Sequence, residues 1–286
     1  MSDVPEAIWS NTDFPYMCLK DEYRTETLKK AIEQSVRPGN VVVDIGSGSG
    51  ILSFFAAAAG AEKVYAVEIE HTLAEALRES IRANGFSDRI VVVEADIMSA
   101  NLPADVDVVI GEIMETGLID ELQVPAVNNL RNQGVIGAGT VLLPSGYETY
   151  VDLVSTDNLY YGYKVFAPKH EWPFYSNEES GWYKSAIESV SERKLASHVD
   201  FTNYVDPQVT YSADLPISDK GKPITALRIS GLISLGSDIS LGATNALNGD
   251  KILPLFTEIE PGRDSVHVEL NYEMGAGFKS LSYSCS

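Results

Sequence analysis

The stretch Val41-Val42-Val43-Asp44-Ile45-Gly46-Ser47-Gly48-Ser49-Gly50 decides the fold. Its first half is a short β-branched run, the composition of a strand buried on both faces. Its second half alternates glycine with serine and opens an apolar helix that ends at Gly60. A strand feeding a helix through glycines is the first unit of a wound α/β sheet. The alternation continues on both sides. Upstream, Leu28, Ala31, Ile32 and Ser35–Val36 have helical spacing, and Pro38-Gly39 stops that helix. Downstream come a strand at Lys63–Glu68, an amphipathic helix from His71 to Asn84 closed by Asn84-Gly85, and a strand at Arg89–Glu94. Further strands are expected at Asp105–Ile110 and Val135–Leu143, with a helix between them at Leu118–Leu130. The expected architecture is a mostly parallel doubly wound sheet.

The pattern changes after Pro144-Ser145-Gly146. Thr225–Leu232 and Val266–Tyr272 alternate apolar and polar residues, with Val266, Val268, Leu270 and Tyr272 on one face and His267, Glu269 and Asn271 on the other. The second half therefore reads as an antiparallel β domain. The division is into residues 1–37, 38–144 and 145–286. Residues 159–184, rich in Tyr, Phe and Trp and holding Pro168 and Pro173, read as an irregular arm that packs on a partner. Trp9, Trp172 and Trp182 read as packing or interface anchors, and His267 as a solvated or interface residue.

Composition removes several classes. Lys and Arg number 21 against 41 Asp and Glu, a formal charge of −20 over 286 residues. Wrapping nucleic acid needs clustered cations, so no nucleic-acid partner is expected; the acid excess suits a basic partner or a salty cytoplasm. The two cysteines, Cys18 and Cys285, form no CxxC pair, and the four histidines show no HExxH or HxH spacing, so neither a disulfide scaffold nor a metal site is expected. Cys18 reads as a buried inert thiol. The start lacks the pattern of a signal peptide, and no apolar run reaches the ~20 residues that span a bilayer. The reading is a cytoplasmic protein without a membrane partner.

The chemistry-bearing signal returns to the glycines. Their spacing is GxGxG, not the GxGxxG of dinucleotide binders, and Glu68 follows Gly50 by 18 residues at a strand end. Such an acid can accept both hydroxyls of a ribose. The combination points to a nucleoside without a pyrophosphate, S-adenosylmethionine, rather than to glycines that only make a turn. Asp96, after the third strand, is placed to accept from the adenine amino group with Ile97 and Met98 over the ring; otherwise it is a cap or loop acid. In Gly111-Glu112-Ile113-Met114-Glu115-Thr116-Gly117-Leu118-Ile119-Asp120-Glu121, Glu112 and Glu121 lie nine residues apart. On one helix nine steps of 100° would set them on opposite faces, so they converge only if the chain turns at Thr116-Gly117. Two converging carboxylates call for a cation, and a guanidinium fits their geometry best; two solvated acids are the alternative.

With Leu19-Lys20-Asp21-Glu22-Tyr23-Arg24-Thr25, these motifs resemble the protein arginine methyltransferase family. There the same places read LKDExRT, VLDVGxGTGILS and SEWMGYxLxxE. The similarity is strong from about Met17 to Pro144 and continues more weakly through Tyr204-Val205-Asp206-Pro207. It implies that Arg24 holds the methionine carboxylate of the cofactor, that Asp44, Gly46, Gly48 and Gly50 line its pocket, that Glu68 binds the ribose, and that Glu112 and Glu121 are catalytic, clamping a protein arginine. It further implies a β-barrel second domain and a head-to-tail homodimer. This chain departs at Ile113, where the family has Trp; at Glu115-Thr116, where it has Gly-Tyr; and at Thr244-Asn245-Ala246, near the place of a Thr-His-Trp loop whose His supports an Asp, here Asp21. The family's aromatic N-terminal lid motif has no clear match. Two other readings stand: a methyltransferase for another protein side chain or a small molecule, and a cofactor-binding interaction module without catalysis.

Overall fold

The computed structural model describes residues 14–173, 186–236 and 238–286. Helix α1 (Phe14–Lys20) and helix α2 (Glu22–Ser35) precede strand β1 (Val41–Ile45), helix α3 (Ile51–Ala58), strand β2 (Lys63–Glu68), helix α4 (His71–Ala83), strand β3 (Ile90–Glu94), strand β4 (Val108–Gly111), helix α5 (Gln123–Asn132) and strand β5 (Val141–Leu143). The five strands form one sheet in the order β3-β2-β1-β4-β5, every neighbouring pair parallel. The order reverses between β1 and β4, so the carboxyl ends of these two strands flank the crevice in which ligands of wound sheets sit. Ala74, Leu77 and Ile81 form the buried stripe of α4, at helical spacing. Asn84 caps that helix, with Gly85 next in the left-handed region at φ 73°.

Three expected elements differ. The fourth strand starts at Val108, because Asp105 takes a positive φ of 50° in a turn. The fifth is cut to three residues; Gly134 is left-handed and Thr140 Oγ1 accepts from Gly137 N–H, which folds 134–140 into turns. The helix expected from Leu118 is broken. Residues Thr116–Leu118 make a single 3-10 turn with Gly117 at φ 75° and Leu118 at φ 57°, and α5 begins only at Gln123.

The rest of the chain is antiparallel. It runs through β6 (Gly146–Thr156), β7 (Leu159–Tyr160), β8 (Tyr163–Lys164), β9 (Lys169–Glu171), β10 (Ile187–Ser189), β11 (Lys194–Asp200), β12 (Gln208–Pro216), β13 (Ile224–Ser234), β14 (Ser240–Leu241), β15 (Asp250–Ile259), β16 (Ser265–Glu273) and β17 (Ser282–Cys285). One sheet has the order β10-β6-β13-β15-β9, with β11 beside β6 and β14 beside β13; a second has the order β12-β16-β17. Val266, Val268, Leu270 and Tyr272 are all buried, as alternation predicts. The segment read as an irregular arm is ordered at its start: β7 and β8 form a hairpin, and β9 joins the larger sheet against β15. Residues 174–184 of that arm, with Trp182, lie outside the described residues, as does Trp9. Among the described residues no helix is long and apolar enough to cross a membrane.

One apolar core runs through both halves, from Val42 and Ile110 to Leu227 and Leu253. Polar contacts fix the joint. The fully buried Tyr147 on β6 accepts from Gly117 N–H at 2.9 Å and donates to Asn248 Oδ1, and Thr116 Oγ1 donates to Gly249 O. Asn128 on α5 donates to Val205 O at 2.8 Å and accepts from Val205 N at 3.0 Å; Arg131 Nη2 donates to Phe201 O at 2.7 Å. Asn128→Ala would leave both backbone groups of Val205 buried without partners, and each such group costs about 1–3 kcal/mol. Urea unfolding of Asn128→Ala should show a loss of about 2–4 kcal/mol; a loss under about 0.5 kcal/mol would show that the joint does not depend on this pair.

Candidate functional site

A cavity of about 510 Å³ opens at the switch point between β1 and β4. Its walls come from α1, α2, the glycine turn, the end of β2, residues 95–97, the 112–122 loop, Trp172 and residues 246–248. Of the residues singled out in the sequence, Arg24, Gly46, Gly48, Glu68, Asp96, Ile97, Glu112 and Glu121 line this one space. Asp44 and Gly50 do not. Asp44 lies beneath the turn, accepting from Ser53 Oγ at 2.6 Å, and burial pushes its carboxyl up to about 6. Gly50 is the left-handed N-cap of α3, packed against Leu77. Both shape the turn from below. Met98 is likewise absent from the walls.

The turn is tied to the strand beside it. Ser47 N–H donates to Val67 O at 2.9 Å, and Gly48 N–H donates to Glu68 Oε2 at 2.8 Å. Glu68 Oε1 accepts from Glu70 N–H at 2.9 Å, so its buried carboxylate is oriented by backbone donors on both oxygens. At Gly46, φ is 69° and a Cβ would collide with Ile113 Cγ2. Asp96 is exposed, and its Oδ1 accepts from Met98 N–H at 2.9 Å, making it a loop acid that also lines the cavity.

Arg24, 4% exposed, is set by the start of α2, where Asp21 Oδ1 caps the helix by accepting from Arg24 N–H at 3.1 Å. Its Nη2 pairs with Glu112 Oε2. Its Nε and Nη1 are buried without a protein partner. Asp21 Oδ2 accepts from Ala246 N–H at 2.8 Å. The backbone of Thr244-Asn245-Ala246 thus supplies to Asp21 the donor expected from a histidine side chain.

Glu115 and Lys251 were not singled out as partners by sequence. Lys251, 2% exposed on β15, reaches into the 112–121 loop, pairing with Glu115 Oε2 and, at 2.7 Å, with Asp120 Oδ2. His170 Nε2 on β9 lies 3.0 Å from Glu115 Oε1. Burial opposes the charged form of Glu115, but His170 and Lys251 outweigh it and hold the carboxyl below its ordinary range. Glu121 differs. It is half-buried, and among the described residues no cation lies within ion-pair distance of it. Burial, then the charges of Glu115 and Asp120, push its carboxyl up to about 8 against the weaker pull of Lys251 and Arg24. The signal for Lys251 is faint: one cation in Gly249-Asp250-Lys251-Ile252-Leu253-Pro254 at the head of an apolar strand.

Trp172, read as a packing or interface anchor, also lines the cavity; its ring meets His170 at 4.3 Å between centroids and packs over Gly249, where a Cβ would come within 2.9 Å. Cys18 is half-buried and also lines the cavity, its thiol pushed up by burial. His267 bonds Asp214 at 2.8 Å and Ser212 at 3.1 Å on an exposed sheet face outside the cavity. Among the described residues no cluster of His, Cys, Asp and Glu suits a metal ion.

Residues 24–146 match the family model described as ribosomal protein L11 methyltransferase. An uncharacterised protein of Methanocaldococcus jannaschii is 30% identical over 268 residues, covering 93% of this chain and 94% of its own length. A probable protein arginine N-methyltransferase 6 of Arabidopsis thaliana is 30% identical over 203 residues, 66% of this chain; the matched part is 44% of that relative's length. Among solved structures, the Trypanosoma brucei PRMT1 enzyme-prozyme heterotetrameric complex with AdoHcy superposes with a TM-score of 0.76 over 97% of this chain and 98% of that one, at 20% identity, a likeness of fold. The chain belongs to one family with the archaeal protein, among the class I methyltransferases built like the protein arginine methyltransferases.

Proposed function

We propose that this methyltransferase moves the methyl of S-adenosylmethionine to an arginine guanidinium nitrogen on a protein, held between Glu112 and Glu121. The observation that carries the reading is Glu121: a half-buried acid without a paired cation, in the same cavity as the glycine turn and Arg24. A planar cation entering there would restore its ionised form.

The residues present fit the cofactor. Two buried, unpartnered N–H groups of Arg24 suit a carboxylate. Glu68, fixed by backbone donors, keeps lone pairs for a ribose diol. Gly46 and Gly48 let a ligand approach the backbone, and Asp96 with Ile97 sits where an adenine would lie. The cofactor supplies an electrophilic methyl on a positively charged sulfur. In this reading residues 1–37 cover it, 38–144 bind it and 145–286 present the acceptor. A homodimer joined by the arm belongs to the same reading, supported by the exposed Tyr161 and Tyr163 on the β7–β8 hairpin.

A guanidinium arrives charged and weakly nucleophilic, its pKa above ~12. Glu121 accepts hydrogen bonds from one edge. Glu112, tied to Arg24 through Oε2, offers Oε1 to the other. Drawing on these N–H groups gathers electron density on the nitrogen to be methylated. Alignment does most of the work, worth roughly 7–11 kcal/mol for well-oriented reactants. The released proton passes to a carboxylate, and a Glu121 carboxyl near 8 receives it more readily than an ordinary one. The net charge of −20 favours a basic acceptor segment.

Three outcomes check this. Gly46→Ala should abolish calorimetric binding of S-adenosylmethionine while the folded circular-dichroism signal persists. Glu121→Gln should bind the cofactor nearly normally and lose about 10²–10⁴-fold in turnover; full activity in this variant would exclude the clamp. Because Glu121 is protonated below about 8, kcat/KM for the acceptor should rise with pH through that region. The acceptor itself is identified by labelling cell extract with methyl-tritiated cofactor and hydrolysing the product. Label on arginine supports the reading, label on another residue or a metabolite favours a methyltransferase for another side chain or a small molecule, and no label favours a binding module.

A further inference from the structure

The acids around the acceptor end outnumber the cations that discharge them. Glu115, Asp120 and Glu121 lie within one loop, and the nearest ammonium, Lys251, contacts the first two. It is held on a third side by the Phe278 ring, 4.8 Å from Nζ. An ammonium has three donors and no freedom to swing when enclosed in this way. Its strand, β15, is locked between β13 and β9. The groups facing Glu121 are Cys18 from α1, Arg24 from α2, Glu115 and Asp120 from its own loop, Lys251 from β15, and His170 from β9 behind Glu115.

We propose that Lys251 is a positioning residue: it pairs with both Glu115 and Asp120 and holds them in place, and so reserves Glu121 as the carboxylate that meets the acceptor's positive charge. Buried carboxylates that share a region raise one another's cost of ionisation. With Lys251 present, two of the three share one ammonium as ion-pair partner, and the third is left facing the cavity. Glu115, at a place where the resemblance predicts glycine, and Lys251 then form one device split between the two halves of the chain. This rests on the acceptor being a cation held by Glu121, and it adds what keeps that acid available.

The test uses two single variants in the full chain, Lys251→Met and Glu115→Gln, which break the same ion pair from opposite ends. If the pair were only a structural tie, both would disturb Glu121 alike. If Lys251 acts through charge, the shifts oppose. Glu121 is followed by carbon-13 NMR of the side-chain carboxyls against pH, assigned by its loss in Glu121→Gln. Its midpoint should move up by about one pH unit in Lys251→Met and down by about one unit in Glu115→Gln. The acid limb of kcat/KM should follow. Should Lys251→Met fail to fold, Lys251→Met/Glu115→Gln, which removes one charge of each sign, should titrate near the wild type. Shifts of the same sign, or an unmoved midpoint in Glu115→Gln, would overturn the proposal. The carboxyl titration reads without any acceptor, so a wild type that labels no arginine would sink the functional reading while leaving this one to be judged on the NMR midpoints.

Discussion

Carboxylates cannot be gathered in a dry cavity unless cations are gathered with them, and this constraint organises the active end of the molecule. Arg24 answers Glu112, Lys251 answers Glu115 and Asp120, and Glu121 is left over. The two cations come from opposite ends of the chain, α2 and β15. Charge balance therefore requires both halves to close on the same loop. Removing either partner from a buried pair is costly, because the remaining charge stays desolvated.

The 112–121 loop is where the halves meet. It leaves the carboxyl end of β4 and cannot continue as helix through Gly117 and Leu118, both at positive φ. The kink separates Glu112 from Glu121 by a turn instead of nine helical steps. Tyr147 Oη, Gly249 O and Lys251 Nζ then hold the kinked backbone and its acids from the barrel side. The glycine turn needs nothing comparable: Val67 O and Glu68 anchor it within the wound sheet itself.

The departures from the family pattern have local compensations. Ile113, where the family pattern has Trp, packs where a Cβ on Gly46 would lie. Glu115, at the place of a small residue, brings its own cations, Lys251 and His170. Asp21 loses a histidine partner and keeps a hydrogen bond, now from the Ala246 backbone. The last two changes are met by contacts from the other half of the chain.

The wound sheet was legible in the chain because its signals are local: β-branched runs, glycine turns and the Leu77–Ile81 stripe each repeat over a few residues, and local sterics translate them directly into strands and helices. The alternating strands of the second half were legible for the same reason. Element ends were less so. Asp105, Gly134 and Gly117 adopt turns that hydrophobic periodicity passes over, since a positive φ leaves no mark on apolar spacing. The candidate cofactor residues Glu68 and Gly48 could be named because β2 follows β1 by a short helix. Lys251 could not be matched to Glu115, 136 positions away, nor Ala246 N–H to Asp21. Those partnerships depend on how two domains close on one loop. The amino-acid order alone determined a glycine turn after a buried strand and two acids able to converge; tertiary packing decided which acids are paired with cations and which one is not, because ion pairing acts through space and is indifferent to separation along the chain.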